Sequence, residues 1–299
     1  MRAHVPEIED QPTGIPADWP NANCSFFVTA AGIRWHVQRA GRGPSVLLIH
    51  GTAGATHSWR DVWSRLTEWA DVIAFDLPGH GFTTGATAKQ LSLTGMTSAV
   101  NDLLRVLDVR PVIGVGHSAG AAVLLQLTAS HEFSPRAIIG CNSALVPINA
   151  LGQALLPFTR VFFDTEPVIA TVAALLQNGA VARALLRSTG TPLDPVQEAR
   201  YVSLLTDERR VGAVLQMMTR WDLTALRQLF PRIKVPVTLV HSTNEPWVPF
   251  DELLHATSTL SRRTVIDITP AGHLIPDERP QRVAEIVATT FESLDAPTG

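Results

Sequence analysis

The sequence predicts an α/β protein: a mostly parallel eight-stranded sheet with helices on both faces and an inserted helical cap. Three observations carry that expectation. Short aliphatic runs alternate with stretches of helical spacing through the first half of the chain. One of those runs ends in Gly116-His117-Ser118-Ala119-Gly120, a tight strand-to-helix turn. The interval 146–222 then holds helical patterns and no clear strand before strand-like runs resume.

Each element has its own justification. Runs 25–29 and 33–39 read as an antiparallel pair joined at Ala30-Ala31-Gly32. Runs 45–50 and 71–76 are short and aliphatic and end in polar residues, as buried parallel strands do. Between them, 57–69 has helical spacing through Trp59, Val62, Trp63 and Leu66. The stretch 91–107 repeats that spacing with Leu93, Met96, Val100, Leu103, Leu104 and Leu107. Residues 112–115 form a buried strand, and 121–127 behind it an apolar helix. Strands at 137–141, 235–241 and 264–268 follow, and 279–294 closes the chain as a helix.

Inside 146–222 the stretches 150–163, 166–178, 181–188, 195–205 and 211–218 have helical patterns. So many helical residues between two sheet strands read as a cap rather than a core layer, leaving 24–145 and 223–299 as the core. The cap's leucines and phenylalanines fit a lid over an apolar cavity, although helix-to-helix packing accounts for most of them. Residues 1–23 carry Glu7, Glu9, Asp10 and four prolines and lack the apolar stretch of a signal peptide, so they read as a loose arm.

Composition narrows the function classes. Apolar residues at 45% and charged residues at 17% describe a globular chain with a sizeable core. A net charge of −3 with no basic run excludes nucleic acid as an expected partner. Two cysteines, Cys24 and Cys141, cannot make a disulfide framework and lack metal-ligand spacing. No run is long enough to span a bilayer. The chain is expected to be soluble and cytoplasmic, with no cofactor and no metal.

The chemistry centres on Ser118. In a G-x-S-x-G turn the serine backbone is strained, and glycines two residues either side let neighbouring chains pass. The hydroxyl then stands over a helix N-terminus, whose N–H groups favour developing negative charge. Five residues can match by chance, but here a strand precedes them and an apolar helix follows. A serine nucleophile needs a base and an orienting acid, expected in the chain order Ser, acid, His. A lone histidine among ten is more often structural. His273, in the glycine-containing loop after the last strand, stands apart because that loop can swing an imidazole over the strand ends. Glu245, in the loop after strand 235–241, is the candidate acid, its other reading being an exposed loop carboxylate. Asp251 is the fallback, and Asn244 a neutral orienter. The oxyanion donors are expected to be the backbone N–H groups of Ala119 and Thr52. Candidate pocket residues are Ala53, His117, Trp247 and Leu274. The Asp76-Leu77-Pro78-Gly79-His80-Gly81 turn reads as structural.

These residues carry a resemblance. His50-Gly51 with Trp59, DLPGHG at 76–81, GHSAG at 116–120 and AGH at 271–273 together resemble the α/β-hydrolase superfamily over residues 25–295. Within it, DWPNANCSFF (18–27), GIRWHVQRAG (32–41), HGTAGATHSWRD (50–61), GHSAGAA (116–122) and MMTRWDL (217–223) resemble the magnesium-chelatase accessory proteins encoded with bacteriochlorophyll biosynthesis enzymes. One departure is that the superfamily usually places aspartate where Glu245 stands.

Two functions compete. The first is a serine hydrolase acting on a small apolar ester, thioester, lactone or activated carbon–carbon bond, with activity falling on the acidic side of the His273 titration. The resemblance links it to magnesium-tetrapyrrole metabolism. The second is a non-catalytic accessory protein binding a tetrapyrrole intermediate or a magnesium-chelatase subunit. Membrane-surface association is disfavoured because Lys and Arg are sparse in the cap.

Overall fold

The computed structural model describes residues 8–9, 14–130, 133, 135–146 and 165–295. The sheet follows the order β1-β2-β3-β5-β4-β6-β7-β8-β9. Its strands are β1 (Ile8–Glu9), β2 (Ser25–Ala30), β3 (Ile33–Ala40), β4 (Ser45–Ile49), β5 (Asp71–Phe75), β6 (Ile113–His117), β7 (Ala137–Cys141), β8 (Val237–Ser242) and β9 (Arg263–Ile268). The pairs β1–β2, β2–β3 and β3–β5 are antiparallel, and every pair from β5–β4 to β8–β9 is parallel. All eight expected strands are present within two residues of their expected limits. A ninth, two-residue strand at the sheet edge comes from the N-terminal segment.

Alternation along each strand builds two cores, one per face. In β4 and β5, Leu47, Ile49, Ile73 and Phe75 face one side. There they meet α2 (Leu93–Val106), α3 (Ala119–Ala129) and α8 (Leu223–Leu229). Val46, Leu48, Val72 and Ala74 face the other side, against α1 (Arg60–Leu66) and α11 (Pro280–Asp295). Helix α3 is apolar all round and every residue in it is buried, as a helix laid against the sheet centre must be.

Between β7 and α8 lie four described helices: α4 (Glu166–Gln177), α5 (Gly179–Arg187), α6 (Pro195–Leu205) and α7 (Glu208–Arg220). Asn178, Asp194 and Asp207 cap α5, α6 and α7 by accepting from N–H groups of their first turns. The expected helix 150–163 lies outside the described residues. No single helix among the described residues is long and apolar enough to cross a membrane; α4 and α5 reach that length only together, across an 88° bend.

The closing helix expected over 279–294 is present as α11 (Pro280–Asp295), and a separate short helix, α10 (Ile275–Glu278), precedes it; Pro280 opens α11, where its missing N–H costs no helical bond. Two expectations need correction. The stretch 57–69 divides into a 3-10 turn, Thr56–Trp59, and α1. The described part of the N-terminal arm is not loose. Trp19 is buried among Ala55 and Leu204, and its indole N–H donates to Thr56 Oγ1 at 3.2 Å. A large apolar side chain with one N–H outweighs the arm's prolines and charges.

Helix α3 and strand β4 approach so closely at Gly120 that a Cβ there would run into the carbonyl oxygens of Ile49 and His50. Gly120→Ala is therefore expected to destabilise the protein by about 1–3 kcal/mol or more, read as a lower urea midpoint. An unchanged midpoint would contradict this packing.

Candidate active site

Ser118 sits between the last residue of β6 and the first of α3, with φ 50° and ψ −114°. That left-handed backbone costs a non-glycine residue on the order of 1–3 kcal/mol. It persists because both sides are pinned. Ser118 N–H donates to Cys141 O at 2.9 Å, and Ser118 O accepts from Ala121 and Ala144 N–H, each at 3.1 Å. The flanking glycines are needed for room, since a Cβ on Gly116 would meet the Ala121 backbone. A Cβ on Gly51 would press on His117 and Ser118.

His273 follows β9. Its Nδ1 lies 2.6 Å from Glu245 Oε2, and both side chains are almost completely buried. With a carboxylate as acceptor, Nδ1 carries the proton and donates it, which leaves Nε2 as the free basic nitrogen. The other Glu245 oxygen accepts from Trp247 N–H at 2.6 Å and Val248 N–H at 3.2 Å. Those bonds fold the glutamate back within its own loop, so its extra methylene is accommodated. Asn244 and Asp251 are both exposed, with Asp251 in the first turn of α9 (Phe250–Ala256). Neither reaches the imidazole, and the fallback readings are set aside.

The His273 loop is held by His117 and by residues that the sequence does not single out. Asn142 Nδ2 donates to Gly272 O at 3.0 Å and His273 O at 2.9 Å, and Ser242 Oγ donates to Gly272 O at 2.8 Å. His117 Nε2–H donates to His273 O at 2.9 Å. Burial, then the neighbouring His273, pull the His117 pKa down to about 3, so its ring stays neutral. From the other side, His273 N–H donates to Thr189 O at 2.8 Å, and Leu274 N–H to Thr191 Oγ1 at 3.0 Å. The positive φ of Asn142, 40°, is the sort of local feature that a sequence pattern does not display.

The loop after β4 makes a turn closed by Gly54 N–H to Gly51 O at 3.0 Å, with Thr52 and Ala53 at its centre. The two central N–H groups of such a turn take no part in its closing bond. Ala53 has φ 58°, a conformation usually left to glycine. Ala119 is the first residue of α3, where an N–H has no intrahelical acceptor. His50 ties this loop to the next: Nδ1–H donates to Gly51 O at 2.8 Å, and Nε2 accepts from Leu77 N–H at 2.9 Å. Asp76 accepts from Thr56 N–H, Phe82 N–H and His36. Burial would raise its pKa, but His36 and these donors bring it to about 2. The 76–81 turn is thus a structural node, as expected.

A cavity of about 510 Å³ opens at this place. Thr52, Ala53, His117, Ser118, Trp247, His273 and Leu274 line it, so seven of the nine sequence-predicted site residues share one wall. The other two stand behind it, Glu245 bonded to His273 and Ala119 at the foot of Ser118. Helices α4 to α7 supply the opposite wall, rich in leucine and valine. Among the described lining residues, Arg210 alone carries a permanent charge, and it is spent on Gly81 O at 2.8 Å and Asp207 at 3.3 Å. Among the described residues, no group of three His, Cys, Asp or Glu side chains is arranged to hold a metal ion. Cys141 is buried, which pushes its thiol up to about 12.

Comparison with known proteins fits this geometry. A family model described as the alpha/beta hydrolase family matches residues 46–286. The chain is 33% identical over 276 residues to the magnesium-chelatase 30 kDa subunit of Rhodobacter capsulatus, covering 88% of this chain and 93% of that protein. It is 25% identical over 264 residues to the 2-hydroxy-6-oxo-6-(2'-aminophenyl)hexa-2,4-dienoic acid hydrolase of Metapseudomonas resinovorans, covering 86% and 87% of the two chains. The crystal structure of an alpha/beta hydrolase fold protein from Burkholderia ambifaria superposes with a TM-score of 0.72 at 20% identity, covering 86% of this chain and 94% of that one. The chain belongs to the alpha/beta hydrolase family.

Proposed function

We propose that the protein is a serine hydrolase whose nucleophile is Ser118, base His273 and acid Glu245. The observation that carries this reading is the 2.6 Å contact of Glu245 with His273, whose imidazole lines the cavity onto which the strained Ser118 also opens. In the reaction, Ser118 Oγ attacks the substrate carbonyl carbon while its proton passes to His273 Nε2. Glu245 holds the imidazole in the tautomer that can accept it and then faces the imidazolium. The oxyanion is stabilised by the N–H groups of Thr52 and Ala119. Collapse expels the leaving group, which takes the proton from His273. A water, activated by the same imidazole, then releases the acyl group from Ser118.

The cavity's apolar wall selects small apolar acyl compounds: esters, thioesters, lactones or activated carbon–carbon bonds. Its volume lies within the usual range for small-molecule sites. In this reading 146–222 is a cap over the core of 24–145 and 223–299, 1–23 is an arm, and the free cysteines fit a cytoplasmic setting. A second reading is favoured by one relative's name, that of a magnesium-chelatase subunit. There the same cavity holds a tetrapyrrole intermediate, or the surface meets a chelatase subunit, without catalysis. Either way the resemblance to the magnesium-chelatase accessory proteins suggests a link to bacteriochlorophyll biosynthesis.

A fluorophosphonate probe is expected to label the wild type and not Ser118→Ala, and esterase kcat to fall on the order of 10⁶-fold in that variant. Labelling of both proteins, or of neither, contradicts the assignment. Where a pathway assay is available, full rescue by Ser118→Ala supports the binding reading instead. For Glu245→Gln, which presents the wrong hydrogen-bonding partner to Nδ1, kcat should drop about 10⁴-fold with little change in unfolding midpoint. A variant as active as wild type removes Glu245 from the mechanism.

A further inference from the structure

The short helix α10 begins two residues after His273 and carries Asp277, whose side chain is 1% exposed. Three donors from two other elements converge on that carboxylate. Tyr201 Oη donates to Oδ2 at 2.8 Å, Gln197 Nε2 to Oδ1 at 2.5 Å, and Arg60 Nη1 to Oδ1 at 3.2 Å. Tyr201 and Gln197 lie on α6, and Arg60 opens α1. Tyr201 also lines the cavity and packs with Leu274, the neighbour of His273. A second stitch lies close by, where Thr189 and Thr191 take the His273 and Leu274 N–H groups. Gly272 approaches the Gly190–Thr191 backbone so closely that a Cβ would not fit.

We propose that Asp277 is a positioning residue whose buried carboxylate locks α6, and with it the cavity wall at Tyr201, to the loop that carries His273. This rests on the hydrolase reading. An imidazole displaced by about 1 Å can cost ~10²-fold in rate, so the loop needs a rigid partner. The helices between β7 and β8 supply that partner through α6.

The same carboxylate is held at a cost. Burial drives its pKa up to about 7, against the lowering exerted by Tyr201, Arg60 and Gln197. An unfolded aspartate titrates near about 3.9, so the folded state binds the proton more tightly. Stability from this group is therefore fully present at low pH and lost as pH rises from about 4 to about 7. The other groups facing it are Asp61 and Asp194, both paired with Arg60, and Ser58 and His57 beside Tyr201. Of these, His57 is neutral, its pKa brought to about 3 by burial. Glu278, on α10 itself, bonds Gly272 N–H, and Arg279 follows it.

Asp277→Asn keeps the shape and removes the charge, and Arg60 retains Asp194 and Asp61. At pH 8 we expect fluorophosphonate labelling of Ser118 to be about 10-fold slower in this variant and in Tyr201→Phe, with the double variant no slower than the slower single one. The slowing should shrink toward pH 5, where wild-type Asp277 is neutral too. As pH rises from 5 to 8 the unfolding temperature of Asp277→Asn should rise relative to wild type while its relative labelling rate falls, so that activity and stability move in opposite senses. Hydrogen exchange, which needs no catalysis, should quicken in peptides covering both 186–205 and 270–278. Unchanged labelling and exchange, or a variant that loses stability relative to wild type as pH rises, overturns the proposal. Absence of labelling in the wild type sinks the hydrolase reading and leaves exchange alone to decide whether Asp277 joins the two segments.

Discussion

The backbone at Ser118 is the constraint on which the rest of the structure depends. A serine at φ 50° cannot hold that conformation by its own preferences. It is held because β6 lies at the centre of the sheet, between β4 and β7, and because α3 packs directly behind it. Gly116 and Gly120 are where these elements touch, and side chains at either position would separate them. Strain of a few kcal/mol is small beside the burial of α3 and three central strands, so the turn follows from the core around it.

Around that turn, the polar groups are buried in a particular electrical state. His50, His57, His80 and His117 all have pKa values lowered by burial, so four imidazoles near the site are neutral, and His50, His80 and His117 act as hydrogen-bonding struts. Their work is mechanical: His50 joins the loops after β4 and β5, and His117 holds the carbonyl of His273. His273 differs from them because a carboxylate faces its Nδ1. One imidazole among several is thus given the partner that suits proton transfer, and the others are denied it.

Much of this was legible in the sequence. Aliphatic runs located the six strands of the parallel part because strands buried on both faces are built of such residues, the antiparallel pair β2–β3 showed as two runs joined at a glycine turn, and Gly116 and Gly120 located the strand-to-helix turn because only glycine fits there. Chain order and its place in the loop after β8 made Glu245 the candidate acid, with Asp251 and Asn244 left open beside it. What could not be read were contacts between short polar side chains far apart in sequence. Asn142 reaches residues more than a hundred positions away, and Asp277 gathers donors from positions 60, 197 and 201. Such residues have no periodicity, and each alone resembles an ordinary surface residue. The arm was misjudged for a related reason: one buried ring, Trp19, anchors a segment whose composition otherwise suggests solvent.

The departure from aspartate at position 245 follows the same logic. A glutamate has one more rotatable bond than an aspartate, and a free carboxylate on that longer arm would sample positions away from His273. Here one oxygen is fixed by the N–H groups of Trp247 and Val248, two and three residues ahead in the same loop. The other oxygen is thereby aimed at Nδ1 without a further partner to divert it. Local backbone bonds to a carboxylate are charge-assisted and short-range, so they set the orientation before any long-range packing does. The loop therefore removes the freedom that the extra methylene introduces. The Trp247 ring, 4.8 Å from His273, covers the pair on the cavity side. Sheltering the pair from water strengthens its electrostatics, and the glutamate's longer reach allows the acid to sit behind the histidine rather than on the cavity wall.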